Sequence, residues 1–249
     1  GMKIVSIAVS KKKGTPKIPV ERTYLSKDHG LEGDAHAGPW HRQVSLLAME
    51  SAVASPTDIP ADLTTVAERS GFSRTGRYDE VERLCAAYAA RWPDRVRCLE
   101  FGRTPENRPM LALVASGDGL LDPAANRERG RPVVYFQGGI HAGEIDGKDA
   151  GFVALRELLE GRVSPDALER TTVLFVPVFH VDGHERFGAW NRPNQRGPEE
   201  MGWRTTAQNL NLNRDHAKAD APEMRALLGL LNAWDPILYA DLHVTNGAE

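Results

Sequence analysis

Downstream of residue 63 the hydrophobic positions fall into two alternating textures, runs spaced at three and four and short unbroken apolar runs. Residues 78–92 place Val81, Leu84, Cys85, Tyr88 and Trp92 at helical spacing, and Pro93 stops the run. Residues 96–101, an apolar run interrupted by Arg97 and Glu100, and the unbroken apolar run at 110–115 predict two strands. The turn Ser116-Gly117-Asp118-Gly119 and a polar, Arg-rich loop lead to a further strand at 132–136. A helix is predicted over 147–159, with Ala150, Val153, Ala154 and Leu158 on one side, and a buried strand over 172–179. Residues 180–216 then run long with little periodicity and many Trp, Arg, Asn and His side chains, the mark of a functional loop. Asp220 is placed to cap the last helix, with Pro222 in its first turn and Met224, Leu227, Leu228, Leu231 and Trp234 as its core stripe. A strand over 237–242 ends at His243. Helix and strand alternating in this way predict an α/β fold, a mixed and mostly parallel sheet with flanking helices.

Upstream the pattern differs. Residues 3–9 alternate, with Ile4, Ser6 and Ala8 on one strand face and Val5, Ile7 and Val9 on the other. A second short strand is expected near 20–25 and a third over 42–48, separated by the polar, glycine-broken loop 30–38. Residues 52–62 carry two prolines and little periodicity, and read as a linker or a fusion joint. The expected organisation is a small β segment over 1–51, this joint, and an α/β domain over 63–249.

Composition narrows the function. With 31 basic against 34 acidic side chains and a formal net charge of -3, nothing draws the chain toward nucleic acid. No apolar stretch is long enough to span a bilayer. No signal peptide stands at the N-terminus, so the default expectation is the cytoplasm, with oligomeric state open. The two cysteines, Cys85 and Cys98, sit on the apolar phase of their elements and are expected to be core thiols rather than a disulfide.

The candidate chemistry centres on Gly138-Gly139-Ile140-His141-Ala142-Gly143-Glu144, between a predicted strand and a predicted helix. A lone His-x-x-Glu is weak, since eight histidines make such a pair common by chance. Here the pair stands at a strand end behind two glycines, where side chains project into a crevice. His243 occupies a similar strand-end position. Two His and one Glu form the ligand set of a catalytic zinc with one open position. The loop between them offers Trp203-Arg204 and Asn213-Arg214, and a guanidinium binds a carboxylate in bidentate fashion.

Taken together, residues 63–249 resemble the zinc carboxypeptidases, the carboxypeptidase A-like metallopeptidases. The His-Ala-Gly-Glu turn, the Pro-Val-Phe-His-Val-Asp-Gly strand exit, the Trp-Arg and Asn-Arg pairs and the Asp-Leu-His strand occur in that family's order. The resemblance implies zinc (Zn2+) on His141, Glu144 and His243. It implies that Asn213 and Arg214 grip the C-terminal carboxylate of a peptide or amino-acid conjugate. It implies that Arg204 polarises the scissile carbonyl. In that family the general base is a Glu well downstream of the third ligand. The expectation is therefore a C-terminally truncated domain that binds metal but whose catalysis is impaired.

Residues 3–51 resemble the opening of a MOSC domain, on the strength of Gly-Leu-Glu-Gly-Asp-Ala-His-Ala-Gly at 30–38 and His-Arg-Gln-Val-Ser-Leu-Leu at 41–47. That resemblance implies a role in molybdenum cofactor or sulfur handling, and it ends before the family's cysteine. Asp34, His36 and His41 are either a metal or anion cluster or an exposed polar turn. A third expectation is a joined chain without a single function.

Overall fold

The structure is a computed structural model that describes residues 59–193, 195 and 197–244, together with the backbone of four short strands upstream. Contacts divide the chain into two compact units, Gly1–Met49 with Thr245–Glu249, and Glu50–Val244. In the first unit, β1 (Ile7–Val9) pairs antiparallel with β2 (Ile18–Val20), and β3 (Leu25–Ser26) with β4 (Gly30–Leu31). The strand expected over 42–48, and the candidate cluster Asp34, His36 and His41, lie outside the described residues.

The second unit is built on a five-stranded mixed sheet. Its strands are β5 (Val96–Arg103), β6 (Pro109–Ala115), β7 (Val133–Gly138), β8 (Thr172–Val176) and β9 (Leu238–Leu242), in the spatial order β5-β6-β8-β7-β9. β6 runs antiparallel to both neighbours, whereas β8, β7 and β9 are parallel. Their apolar runs are what burial on both faces requires: β6 from Met110 onward and all of β8 are buried. β9 is the outer strand among the described residues, and its Leu238 and Tyr239, with Ile237 just before it, are exposed. The register Gly138↔Leu242 makes the carboxyl ends of β7 and β9 coincide. The His141 turn after β7 and His243 after β9 therefore emerge at one level.

The helices are α1 (Val66–Arg69), α2 (Tyr78–Arg91), α3 (Pro123–Glu128), α4 (Asp146–Leu159), α5 (Ala167–Arg170), α6 (Val181–Glu185) and α7 (Pro222–Trp234). Thr65 and Glu68 form a capping box on α1. α2 and α4 meet through Tyr88, whose ring packs edge-on to Phe152 and whose hydroxyl donates to the Phe152 carbonyl at 2.7 Å. β5 meets α2 through Cys98 and α7 at Gly102, where a Cβ would lie 2.6 Å from that of Ala226. No helix among the described residues is long and apolar enough to cross a membrane.

Four expectations are corrected. Cys85 and Cys98 are bonded to each other, because α2 and β5 bring their Cα atoms to 5.3 Å, within disulfide reach. The polar loop after Gly119 contains α3, which Asp122 caps by accepting from the Ala125 amide, with Pro123 in the first turn. α7 begins at Pro222 without a side-chain cap. The carboxylate that orders its approach is Asp215, which accepts from the amides of Asp220 and Ala221.

The fourth correction is the buried face of α4. The buried side chains are Phe152, Leu155 and Leu159 together with Lys148, Asp149, Arg156 and Glu157, whereas Ala154 is exposed and Ala150, Val153 and Leu158 are half-buried. Two cations that look solvated by type are fully buried because each has a partner. Lys148 Nζ stands 2.8 Å from Glu80 Oε2, and Arg156 pairs with Glu68. Buried charges are tolerated when they are paired and hydrogen-bonded in this way.

Candidate metal centre

β7 ends at Gly138, and Gly139 comes next with φ 62°, the left-handed region that glycine enters without strain. The chain thereby turns sharply off the sheet. A Cβ at Gly138 would lie 2.5 Å from the Pro177 carbonyl and 2.9 Å from the Lys148 amide, so the start of α4 can sit directly over the strand end only because that position is bare. The turn presents His141 and Glu144, both buried, and β9 presents the half-buried His243 beside them.

The three side chains converge. Glu144 Oε1 is 2.9 Å from His141 Nδ1, and Oε2 is 2.8 Å from His243 Nδ1. The imidazole centroids are 5.0 Å apart. One ligand atom from each residue lies within 4.8 Å of the others, the one such group among the described residues. Burial alone would raise the Glu144 pKa, but its bonds to His141 and His243 outweigh burial and hold the carboxylate well below its ordinary range. Burial pulls His243 down, yet its bonds to Asp241 and Glu144 prevail and push it up to about 9. A strongly ionised carboxylate between two imidazole nitrogens is a cation site in its charge as well as its shape.

Outer contacts orient these groups. His243 Nε2 lies 2.9 Å from Asp241 Oδ2, and Asp241 Oδ1 accepts from Gln137 Nε2 at 3.2 Å. Tyr135 donates to Gln137 Oε1 at 2.7 Å, so the bonds run back into the sheet. Arg192 donates to Glu144 Oε1 at 2.7 Å, and the Val244 amide to Oε2 at 3.3 Å.

The long loop brings its own residues to this centre. Asn213 lies in the 3-10 turn Leu212–Arg214, with its side-chain Nδ2 3.3 Å from His141 Nε2. Arg214 is exposed and donates to the Asn213 carbonyl. Arg204 is half-buried. Its segment is held against the turn: the Trp203 amide donates to the Gly183 carbonyl at 2.7 Å, and a Cβ at Gly202 would lie 2.6 Å from the Ala142 carbonyl oxygen.

A family model described as zinc carboxypeptidase matches residues 81–248, well over half of the 249 residues. The chain belongs to the zinc carboxypeptidase family. The fold is similar to that of a Shewanella denitrificans protein assigned as a carboxypeptidase A, with TM-score 0.54 and 22% identity over 68% of this chain and 40% of that one. It is also similar to thrombin-activatable fibrinolysis inhibitor, with TM-score 0.53 and 16% identity over 72% of this chain and 52% of that one. The chain thus spans about half or less of the length of these structures. No curated protein matches the chain. Residues 3–51 lie outside the matched stretch, and the comparisons lend no support to their resemblance to a MOSC domain.

Zinc carboxypeptidases use Zn2+, and the group at His141, Glu144 and His243 suits that ion. Two imidazole nitrogens and a carboxylate are its ordinary donors in a catalytic site. With Nε2 of His243 turned to the Asp241 carboxylate, Nδ1, which faces Glu144 Oε2, is the nitrogen left to take a metal in exchange for its proton. Sequence reasoning missed Asp241, Gln137 and Arg192. Asp241 stood within the Asp-Leu-His strand end. Arg192 belongs to Asn191-Arg192, the loop's other Asn-Arg pair, which was the signal available for it.

Proposed function

We propose that the chain acts as a zinc-dependent hydrolase of peptide C-termini or of related amino-acid conjugates. The observation that carries this reading is the convergence of His141, Glu144 and His243 at the ends of two adjacent parallel strands. A zinc ion held there supplies a Lewis acid for a carbonyl oxygen and lowers the pKa of water toward about 7. Asp241 accepts the Nε2 proton of His243 and so fixes its tautomer. For His141 to offer Nδ1, its Nε2 carries the proton, and Asn213 accepts it through the amide oxygen, a half-turn of that amide. Arg204 polarises the scissile carbonyl and stabilises the oxyanion that forms. Arg214, with the Asn213 amide, holds the C-terminal carboxylate of the substrate.

Hydrolysis also needs a group that takes a proton from water and hands it to the leaving amine. The described carboxylates in contact with the two imidazoles are Glu144 and Asp241, and both are already engaged. We therefore propose that these residues bind metal and substrate but turn substrate over slowly. The test is elemental analysis of dialysed protein, followed by assay on N-blocked dipeptides and their C-terminal amides. One zinc per chain, dipeptide binding that needs the free carboxylate, and slow hydrolysis are expected. Absence of zinc overturns the metal reading. Turnover in the ordinary enzymatic range, about 1–1000 per second, overturns the slow-turnover part alone.

A further inference from the structure

Arg192 touches the candidate metal centre from a loop with no regular structure of its own. Its guanidinium donates to Glu144 Oε1 at 2.7 Å, a charge-assisted bond, and its side chain is 13% exposed. Two further contacts show that this segment is docked on the turn. Gln195 Nε2 donates to the Gly143 carbonyl at 3.0 Å, so the loop grips the turn at two points. A Cβ at Gly143 would lie 2.7 Å from Arg192 Cγ, so the stem of Arg192 crosses the turn through space that only glycine leaves open. Gly143, the second of the two residues between the His and the Glu of the motif, is thus bare on the side where Arg192 passes.

Glu144 has two oxygens, and their outer partners differ. Oε2 receives the Val244 amide, a neutral donor at 3.3 Å, whereas Oε1 receives the Arg192 guanidinium. A carboxylate that ligates a metal must hold one rotamer, and one anchored oxygen leaves the other lone pairs aimed inward.

We propose that Arg192 is a positioning residue for Glu144, setting the affinity of the site for zinc. The inference rests on the metal reading of His141, Glu144 and His243. Arg192 acts through Glu144 and is not required to touch substrate. Lys at this position keeps the charge and N–H donors but loses the planar fork, so it restores part of the effect. Gln keeps a donor without the charge.

The test is zinc affinity of metal-free protein, by competition with a chromophoric chelator, for wild type, Arg192→Ala, Arg192→Gln and Arg192→Lys. Thermal melting of the metal-free proteins runs alongside. Arg192→Ala is expected to weaken zinc binding about 10–100-fold at unchanged stoichiometry, the usual effect of removing an outer partner of a ligand. Arg192→Gln should fall near the alanine variant and Arg192→Lys between it and wild type. Wild-type affinity in Arg192→Ala, or equal losses in all three variants, overturns the proposal. If Arg192→Ala fails to fold, the order of the Gln and Lys variants decides. Absence of zinc from wild type overturns the metal reading and this proposal together, and unchanged affinity in the variants overturns this proposal alone.

Discussion

Asp241 Oδ2 stands 2.9 Å from His243 Nε2, and the two residues are separated only by Leu242, the last residue of β9. The pair is local in sequence, yet it works because the chain leaves the strand between them. A continuing strand would hold residues two apart side by side on one face. Asp241 is fixed from the sheet side by Gln137, so it holds the imidazole ring from behind. Replacing Asp241 by Asn keeps the shape and removes the charge. Zinc affinity of Asp241→Asn should fall about 10–100-fold, measured by chelator competition, with metal-free melting little changed.

Arg214 is exposed, and its guanidinium donates to the carbonyl of its neighbour Asn213, a neutral acceptor that a ligand carboxylate can replace. Zinc-loaded Arg214→Ala should bind an N-blocked dipeptide about 10–100-fold more weakly, the worth of a charged hydrogen-bonded pair of about 1.5–3 kcal/mol. The corresponding C-terminal amide should bind both proteins alike. Calorimetric titration reads both, and an equal loss for the amide would remove Arg214 from carboxylate recognition.

The strand ends that carry the site were legible in the sequence because buried parallel strands are written as unbroken apolar runs, and such runs end where the glycines and His141 begin. His243 was legible at the end of β9, whose mostly apolar residues read as a strand although it is the outer one among the described residues and is exposed or half-buried. The contact between Arg192 and Glu144 spans 48 residues and depends on the path of a loop without periodicity, so no local pattern encodes it. The face of α4 was misread for a different reason. Lys148 and Arg156 look solvated by type, and only the fold supplies Glu80 and Glu68 as partners. A hydropathy pattern records the residue and not its partner.

That second pair carries its own prediction. Arg156 and Glu68 are both buried, and Arg156 also donates to the Leu63 carbonyl at 3.0 Å. Arg156→Ala strands a carboxylate in the interior and should destabilise the protein by about 3–5 kcal/mol. Arg156→Met combined with Glu68→Leu removes both charges and should cost far less than either single change, read by urea unfolding.

The disulfide joins α2 to β5 across a sequence separation of 13, which makes a short loop. Closing a loop of this size stabilises by roughly 3 kcal/mol in the chain-entropy model. Thiol labelling of denatured, unreduced protein should find no free cysteine, and reduction should lower the melting temperature by roughly 5–10 °C. Disulfides persist in oxidising compartments and are rare in the cytosol, so a fully oxidised pair in protein isolated under thiol trapping would weigh against a cytoplasmic location.

Behind the metal turn, Lys148 joins groups whose titrations oppose one another. Lys148 Nζ contacts Glu80 Oε2 at 2.8 Å and Asp149 Oδ1 at 3.1 Å, and it shares the Gly76 carbonyl with His184 Nε2. Burial, only partly opposed by Lys148, raises Asp149 to about 6. Burial lowers His184 to about 3 and the neighbouring His180 to about 4. A raised folded pKa means that the contribution of Asp149 is fully present below about 3.8 and is lost as the pH rises through about 6. The depressed histidines contribute stability present above about 6.5, which is lost as the pH falls toward their folded values. Each proton is worth about 1.4 kcal/mol per pH unit. Between pH 6 and 4 the two histidine slopes run against the one aspartate slope, so these three groups together favour unfolding on acidification. Asp149→Asn removes the opposing slope while keeping the side chain uncharged, as protonated Asp149 is. The variant should therefore lose stability more steeply than wild type over the same window, by about 1.4 kcal/mol per pH unit, in urea unfolding at fixed pH steps. A slope equal to that of wild type would mean that Asp149 stays ionised in the fold, held there by Lys148.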